Sequence, residues 1–251
     1  MKKTIRKIFS HARDQGWPAT LALIAKNIRF QLRILIERGF DRKHMVDTAG
    51  SVRLEDLIVL GDNKKHGVYY EPTPQKVFLR LLSKLDIEYQ EFEFVDFGCG
   101  KGRPLILAAR YPFRKITGVE FAVELAEVAR SNLRSFVDKR QQCQNLEVLC
   151  MDARQYEIPE GKAILYFFNP FNICIMEAIA QNLKKTFTRT RAKKIVIYYH
   201  PQSARVFEKL PFLKKVESGE RLVNFASPQF RGFVIFETVD EWEEQPFSLA
   251  S

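Results

Sequence analysis

The spacing of apolar residues divides the chain into three regions. Between residues 18 and 40, apolar positions recur with a helical period, at Leu21, Ile24, Ile28, Leu32, Leu35 and Ile36. Residues 46–72 contain turn-forming glycines and predict a connector. From residue 73 onward, short apolar runs alternate with helical stripes. We therefore expect a helical N-terminal arm at 1–45, a connector at 46–72 and one large domain at 73–251.

The large domain shows the pattern of strand–helix units. Strands are predicted at 93–97, 115–120, 146–151, 163–168, 194–199, 222–225 and 232–238. Helices are predicted from Thr73, as N-cap before Pro74, and at 101–110, 124–136, 172–187 and 203–210. Alternating strands and helices indicate an α/β fold with a doubly wound, Rossmann-like sheet. The sheet should be mostly parallel, and its last two strands should form an antiparallel C-terminal hairpin.

Charge is concentrated at the N-terminus. Residues 1–45 hold eleven Lys and Arg and three acidic residues, whereas the other 206 residues hold 29 basic and 27 acidic ones. This asymmetry suggests an anionic surface as partner of the arm, either a membrane or a nucleic acid. The alternative is that the apolar stripe of the arm packs on the large domain and covers its acceptor site.

The remaining composition excludes several classes of protein. At 46% hydrophobic residues, the chain can bury a sizeable core, yet no apolar run reaches the roughly 18 residues of a membrane span. The four cysteines show no paired spacing, so we expect no metal site. Reduced thiols and the absence of a clear signal sequence favour a cytoplasmic protein, with a peripheral membrane location as the alternative that the basic arm leaves open.

The strongest chemical signal is a glycine loop that follows the first predicted strand. It begins with Asp96 and contains Gly98, Gly100 and Gly102, which let the backbone turn tightly and approach a ligand. The spacing differs from the dinucleotide pattern GxGxxG, and no GxxxxGK[ST] motif is present. Asp96 would repel a diphosphate and favour a cationic group such as an amine.

Acidic residues also end the next two strands. Glu120 closes the second strand and could accept hydrogen bonds from ribose hydroxyls, and Asp152 with Ala153 follows the third and could receive an adenine. The ligand inferred from these positions has an adenosine end and an ammonium end. Each of these residues alone could equally serve a turn or a strand end.

Four motifs in order, VDFGCGKGR, ITGVE, MDAR and ILYFFNPF, resemble those of class I, seven-β-strand S-adenosylmethionine-dependent methyltransferases over residues 66–240. The resemblance implies S-adenosyl-L-methionine as cofactor. It places Asp96, Gly98, Gly100 and Gly102 at the methionine end, Glu120 at the ribose and Asp152–Ala153 at the adenine. It also suggests that residues 70–74 close over the cofactor, with Tyr70 and Thr73 as contacts.

The acceptor side is predicted at Asn169, Pro170 and Phe171, which end the fourth strand. This tripeptide resembles the [DN]PP[YF] motif of amino-group methyltransferases without its second proline, and also a loop of non-SET lysine methyltransferases. Asn169 could orient an amine, and Phe171 could form a wall of the acceptor site. His200, which ends the fifth strand, could act as a base, although a structural role is favoured.

We therefore expect methyl transfer to an amine, either a protein lysine or a small molecule. Other small molecules and nucleic acids stay open as acceptors, as does a non-catalytic module that binds S-adenosylmethionine or a nucleoside. The glycine spacing disfavours a nicotinamide oxidoreductase.

Overall fold

The computed structural model describes residues 2–53, 55, 57–59, 70–219 and 232–239. Seven strands form one sheet: β1 Glu93–Phe97, β2 Lys115–Glu120, β3 Leu146–Cys150, β4 Ala163–Phe168, β5 Lys194–Tyr199, β6 Leu213–Gly219 and β7 Phe233–Thr238. Their order is β3-β2-β1-β4-β5-β7-β6. Strands β1 to β5 pair in parallel, while β7 runs antiparallel to both β5 and β6. The predicted fold class is confirmed.

Seven α-helices accompany the sheet in the part of the chain that the structure describes. They are α1 Lys2–Gln15, α2 Trp17–His44, α3 Gln75–Leu82, α4 Arg103–Ala108, α5 Val123–Ser135, α6 Ile173–Thr190 and α7 Arg205–Glu208. No helix among the described residues combines the length and the apolar character needed to cross a membrane.

The central strands are buried on both faces, which explains their nearly continuous apolar sequences. Alternate residues of β1 enter different cores: Phe94 packs on one face of the sheet, and Val95 and Phe97 pack on the other. Asp96 lies in register with Gly118 of β2 and Tyr166 of β4. The sheet therefore places Asp96 next to the last residue of β1, between two parallel neighbours.

One prediction about local structure was wrong, and another concerns residues outside the described ranges. Pro74 is the N-cap of α3 and makes no side-chain capping bond, so Thr73 lies outside the helix rather than capping it. The predicted strand at 222–225 lies outside the described residues. The antiparallel partner of β7 is β6, a strand that the sequence did not reveal because most of its side chains are polar and exposed.

The end of α2 is fastened to the large domain. Asp41 accepts hydrogen bonds from the backbone and the hydroxyl of Thr48 at 2.8 and 2.6 Å and from Arg103 at 3.3 Å. Phe40 belongs to the core on the same face of the sheet as Phe94, and the Arg103 guanidinium lies over its ring. The last turns of α2, inside the predicted arm, are therefore part of the folded domain.

A second ionic cluster joins the end of α4 to the chain after α5. Asp138 accepts hydrogen bonds from Arg110 Nε at 2.7 Å and from the backbone and side chain of Arg140 at 3.0–3.1 Å. Burial opposes the charge on Asp138, but the bonds from Arg140 and Arg110 outweigh it and lower the pKa of this carboxyl.

We expect Asp138→Asn to lower the free energy of unfolding by about 1–3 kcal/mol at neutral pH. A carboxyl whose pKa falls on folding stabilises the protein above its unfolded pKa, near 4, and loses that contribution as the pH drops toward the folded value. Urea unfolding of both proteins at neutral and acidic pH checks this. Asp86→Asn, at an exposed carboxylate, is the matched control; an equal loss in both variants would contradict the assignment.

Candidate active site

A cavity of about 280 Å³ opens at the carboxyl edge of the parallel strands. Its lining joins the loops after β1, β2, β4 and β5 to the segment before α3. The lining residues are Tyr70, Glu71, Thr73, Asp96, Gly98, Cys99, Gly100, Pro104, Glu120, Phe121, Leu125, Phe168, Asn169, Pro170, His200 and Gln202. Ligands of open α/β sheets bind at this edge, at the point where the strand order reverses, which here lies between β1 and β4.

Two side chains pack closely against the glycine loop. Gly98 and Gly100 have left-handed φ values of 76° and 54°. A Cβ on Gly98 would lie 2.5 Å from the Pro170 side chain, and one on Gly100 would overlap the ring of Tyr70. These two glycines are therefore required by the packing of Pro170 and Tyr70, in addition to any ligand.

Two carboxylates lie beside this loop. Glu120 accepts hydrogen bonds from the backbone of Gly100 at 2.8 Å and of Ala122 at 2.9 Å. Each of its oxygens keeps a second lone pair for a ligand hydroxyl. Burial raises the pKa of Glu120, and backbone hydrogen bonds from Ala122 and Gly100 oppose this.

Asp96 is buried, and its Oδ2 has no hydrogen-bond partner among the described residues. Burial and, after it, the neighbouring charge of Glu120 raise the pKa of Asp96 well above its ordinary value. A buried polar atom without a partner is costly, so this oxygen is suited to receive a donor that enters the cavity. A cation there would relieve the repulsion between the two acids.

Tyr70 packs against the glycine loop, and its hydroxyl and backbone are hydrogen-bonded on the side away from the loop. Its hydroxyl donates a 2.7 Å hydrogen bond to the Thr48 carbonyl, and Val52 pairs with its backbone. Because Thr48 is itself bonded to Asp41 and Arg103, a network from α2 to α4 positions the Tyr70 ring. Thr73 is buried in the same lining.

Asn169 and Pro170 bring the end of β4 into the cavity. Asn169 adopts a left-handed φ of 41°, a strained conformation that asparagine tolerates better than most residues. Its Oδ1 accepts a 3.2 Å hydrogen bond from the Tyr198 hydroxyl, and the side chain is buried. Phe171 does not line the described cavity; it is buried behind it, with its ring 5.8 Å from that of Phe121.

The other predicted residues have different surroundings. Asp152 accepts hydrogen bonds from the backbone and guanidinium of Arg154, and neither it nor the buried Ala153 belongs to the described cavity lining. Gly102, the N-cap of α4 with a φ of 81°, is not in the described lining either. His200, also left-handed at 56°, does line the cavity and contacts Gln202.

Several lining residues escaped the sequence analysis. Phe121 and Leu125 follow Glu120, and Pro104 follows the glycine loop. Their position next to a motif could have marked them as lining residues. Glu71 lies in the segment 70–74 that was predicted to close over the cofactor but was not named as a contact, and Gln202 had no such pattern. No group of three or more His, Cys, Asp or Glu residues in the described ranges could hold a metal ion.

The lining fits S-adenosylmethionine. The partnerless oxygen of Asp96 suits an ammonium, and the second lone pairs of the Glu120 oxygens suit hydroxyls. When bound, S-adenosylmethionine supplies a methyl group on a positively charged sulfur.

The chain resembles known methyltransferases. Residues 94–192 match the family model described as a methyltransferase domain. An RNA methyltransferase from Salinibacter ruber, solved with S-adenosyl-L-homocysteine, aligns at 19% identity and a TM-score of 0.45, over 70% of this chain and 98% of that one. The 23S rRNA methyltransferase ErmE aligns at 15% identity and a TM-score of 0.45, over 66% and 68%.

No curated protein matches the chain. The family match, however, runs from β1 through α6. The segment from β1 through α6, which builds most of the cavity, is therefore similar to a methyltransferase domain, in agreement with the S-adenosylmethionine-dependent class that its motifs resemble.

Proposed function

We propose that this protein methylates an amine, with a protein lysine or a small-molecule amine as the acceptor. The observation that carries the proposal is the placement of Asn169 and Pro170 in the same cavity as Asp96 and Glu120. Methyl transfer is an in-line displacement at carbon, so the protein must desolvate a nucleophile and aim its lone pair.

The residues of this cavity suit that task. Asn169 Oδ1 is anchored by Tyr198 and keeps a second lone pair, which can accept an N–H of the acceptor. The backbone carbonyl of Asn169, which precedes Pro170, can accept another. Two acceptors at fixed positions orient a neutral amine, which has N–H donors to give, and leave its lone pair directed toward the methyl group. The acidic residues hold the cofactor, and Tyr70 with Pro170 excludes water from the loop.

The test uses methyl-labelled S-adenosylmethionine. The full chain is incubated with a cell lysate, which is then separated into protein, nucleic acid, lipid and small molecules. We expect label in the protein or small-molecule fraction, stable to acid and base as methylamines are, and strongly reduced with Asn169→Ala. Label in nucleic acid or in an ester would overturn the amine proposal. Tight cofactor binding without labelling of any fraction would instead support a non-catalytic binding module.

A further inference from the structure

The helix α2 presents an apolar face that nothing in the described structure covers. Five aliphatic residues of the predicted stripe are between 43% and 67% exposed. They are Leu21, Ile28, Leu32, Leu35 and Ile36. Exposed apolar residues in a contiguous row indicate an interaction surface, whereas scattered ones would not.

This face points away from the domain. The residues by which α2 packs on the domain are Glu37, Phe40, Asp41 and His44, all buried. At 100° per residue, these four lie on the side of the helix roughly opposite the exposed stripe. The expectation that the stripe packs on the domain and covers the acceptor site is therefore not what the structure shows. The fixed end of α2 holds the stripe outward.

The helix α1 leaves the stripe exposed as well. It contacts the start of α2, where His11 Nδ1 is 2.9 Å from the Thr20 hydroxyl and the Phe9 ring meets Trp17 at 5.8 Å. Phe9 and Trp17 are themselves more than half exposed. These aromatic rings therefore extend the apolar surface toward the N-terminus of α2.

The charges around the stripe are almost entirely positive. Of the three acidic residues in 1–45, Glu37 and Asp41 are buried toward the domain, where Glu37 accepts from Gly50 and Asp41 from Arg103. Exposed basic residues adjoin the stripe: Arg38 and Arg42 lie along one edge, and Lys43 lies on its line two turns beyond Ile36. The outward surface therefore combines aliphatic side chains with uncompensated positive charge.

We propose that α2 lies on an anionic lipid surface, with its aliphatic stripe among the acyl chains and its Arg and Lys side chains among the headgroups. A second copy of the chain is a poor occupant, since it would bring an equally positive surface against the first. A nucleic acid would satisfy the charge but not the aliphatic side chains, because bases stack on aromatic rings. An anionic bilayer offers negative headgroups for the basic residues and acyl chains for the aliphatic ones.

The test is co-sedimentation of the full chain with vesicles of phosphatidylcholine, with and without about 30% phosphatidylserine. We expect binding to the anionic vesicles and little to the neutral ones, with a loss at high salt because screening shortens electrostatic attraction to a few ångströms. Absence of binding to anionic vesicles at low salt would overturn the proposal.

Two variants separate the contributions. Leu32→Gln with Leu35→Gln keeps the charge and should lower partitioning at least about tenfold. Ile58→Gln with Val137→Gln, at apolar residues exposed elsewhere, should not change it. All four positions are exposed, so each protein should keep the melting temperature and the cofactor affinity of the wild type.

Other occupants give different results in the same samples. A dimer in sedimentation equilibrium that is lost with Leu32→Gln and Leu35→Gln would assign the stripe to a second copy. Duplex DNA that binds at physiological salt and competes with vesicles would assign it to nucleic acid. Either result would overturn the lipid proposal.

Discussion

Replacing Asp96 with asparagine should abolish tight cofactor binding while making the protein more stable. In the cavity, Asp96 Oδ2 has no partner among the described residues and is therefore available to an ammonium. Removing one partner of a buried charge pair costs about 2–5 kcal/mol, which corresponds to a loss of affinity of about 30-fold or more. Titration calorimetry with S-adenosylhomocysteine measures this loss.

A shorter ligand provides the control. Methylthioadenosine shares the adenosine end but has no ammonium, so its affinity should be the same for wild type and Asp96→Asn. If both ligands lose affinity equally, Asp96 supports the shape of the loop and does not bind the ammonium.

The stability of the same variant should move in the opposite direction. Burial raises the pKa of Asp96, so folding is penalised once the pH exceeds the ordinary pKa of the carboxyl, and fully so above its raised value. Asparagine carries no charge and removes that penalty. Each kcal/mol gained should raise the melting temperature by about 2–4 °C, and the gain should vanish in acid, where Asp96 is protonated in both states.

The second large effect is expected for Asn169. If its Oδ1 aims the acceptor, Asn169→Ala should lower turnover by about a hundredfold and leave the dissociation constant of S-adenosylhomocysteine unchanged. Turnover is measured with the acceptor that labelling identifies. Asn182→Ala, at a half-buried asparagine on α6 that donates to the Arg154 carbonyl away from the cavity, is the matched control.

The left-handed backbone of Asn169 requires a further variant. Alanine is strained at a φ of 41°, whereas glycine is not, so Asn169→Gly removes the side chain without that strain. Equal losses of turnover in the two variants would assign the effect to the side chain. Recovery in Asn169→Gly would show that backbone strain, and not the amide, caused the loss in alanine.

The strands could be predicted closely because burial on both faces selects continuous apolar runs. The observed β1, β2, β4 and β5 have the predicted bounds. The edge strand β6 could not be recognised, since LKKVESG exposes most of its side chains and carries no such run. Its existence depends on pairing with β7, a contact between distant parts of the chain.

The candidate site was predictable where a motif fixes the backbone, and less so where side-chain direction matters. Asp96, Glu120 and Asn169 line the cavity because each ends a parallel strand. The sequence could not show that Phe171, two residues beyond Asn169, turns into the core beside Phe121. Nor could it show that Thr48, which Asp41 holds, supports Tyr70, because the bond between Tyr70 and Thr48 joins residues 22 positions apart that no motif connects.

The bond from Tyr70 to Thr48 has a consequence for the whole chain. Thr48 is held by Asp41, at the end of the helix whose other side is exposed. A ligand that contacts the Tyr70 ring would therefore act on the same bonded network that holds the end of α2, and by thermodynamic reciprocity a surface that stabilises this end would tighten the ligand. We therefore expect the affinity of the cavity for its ligand and the stability of the end of α2 to be coupled.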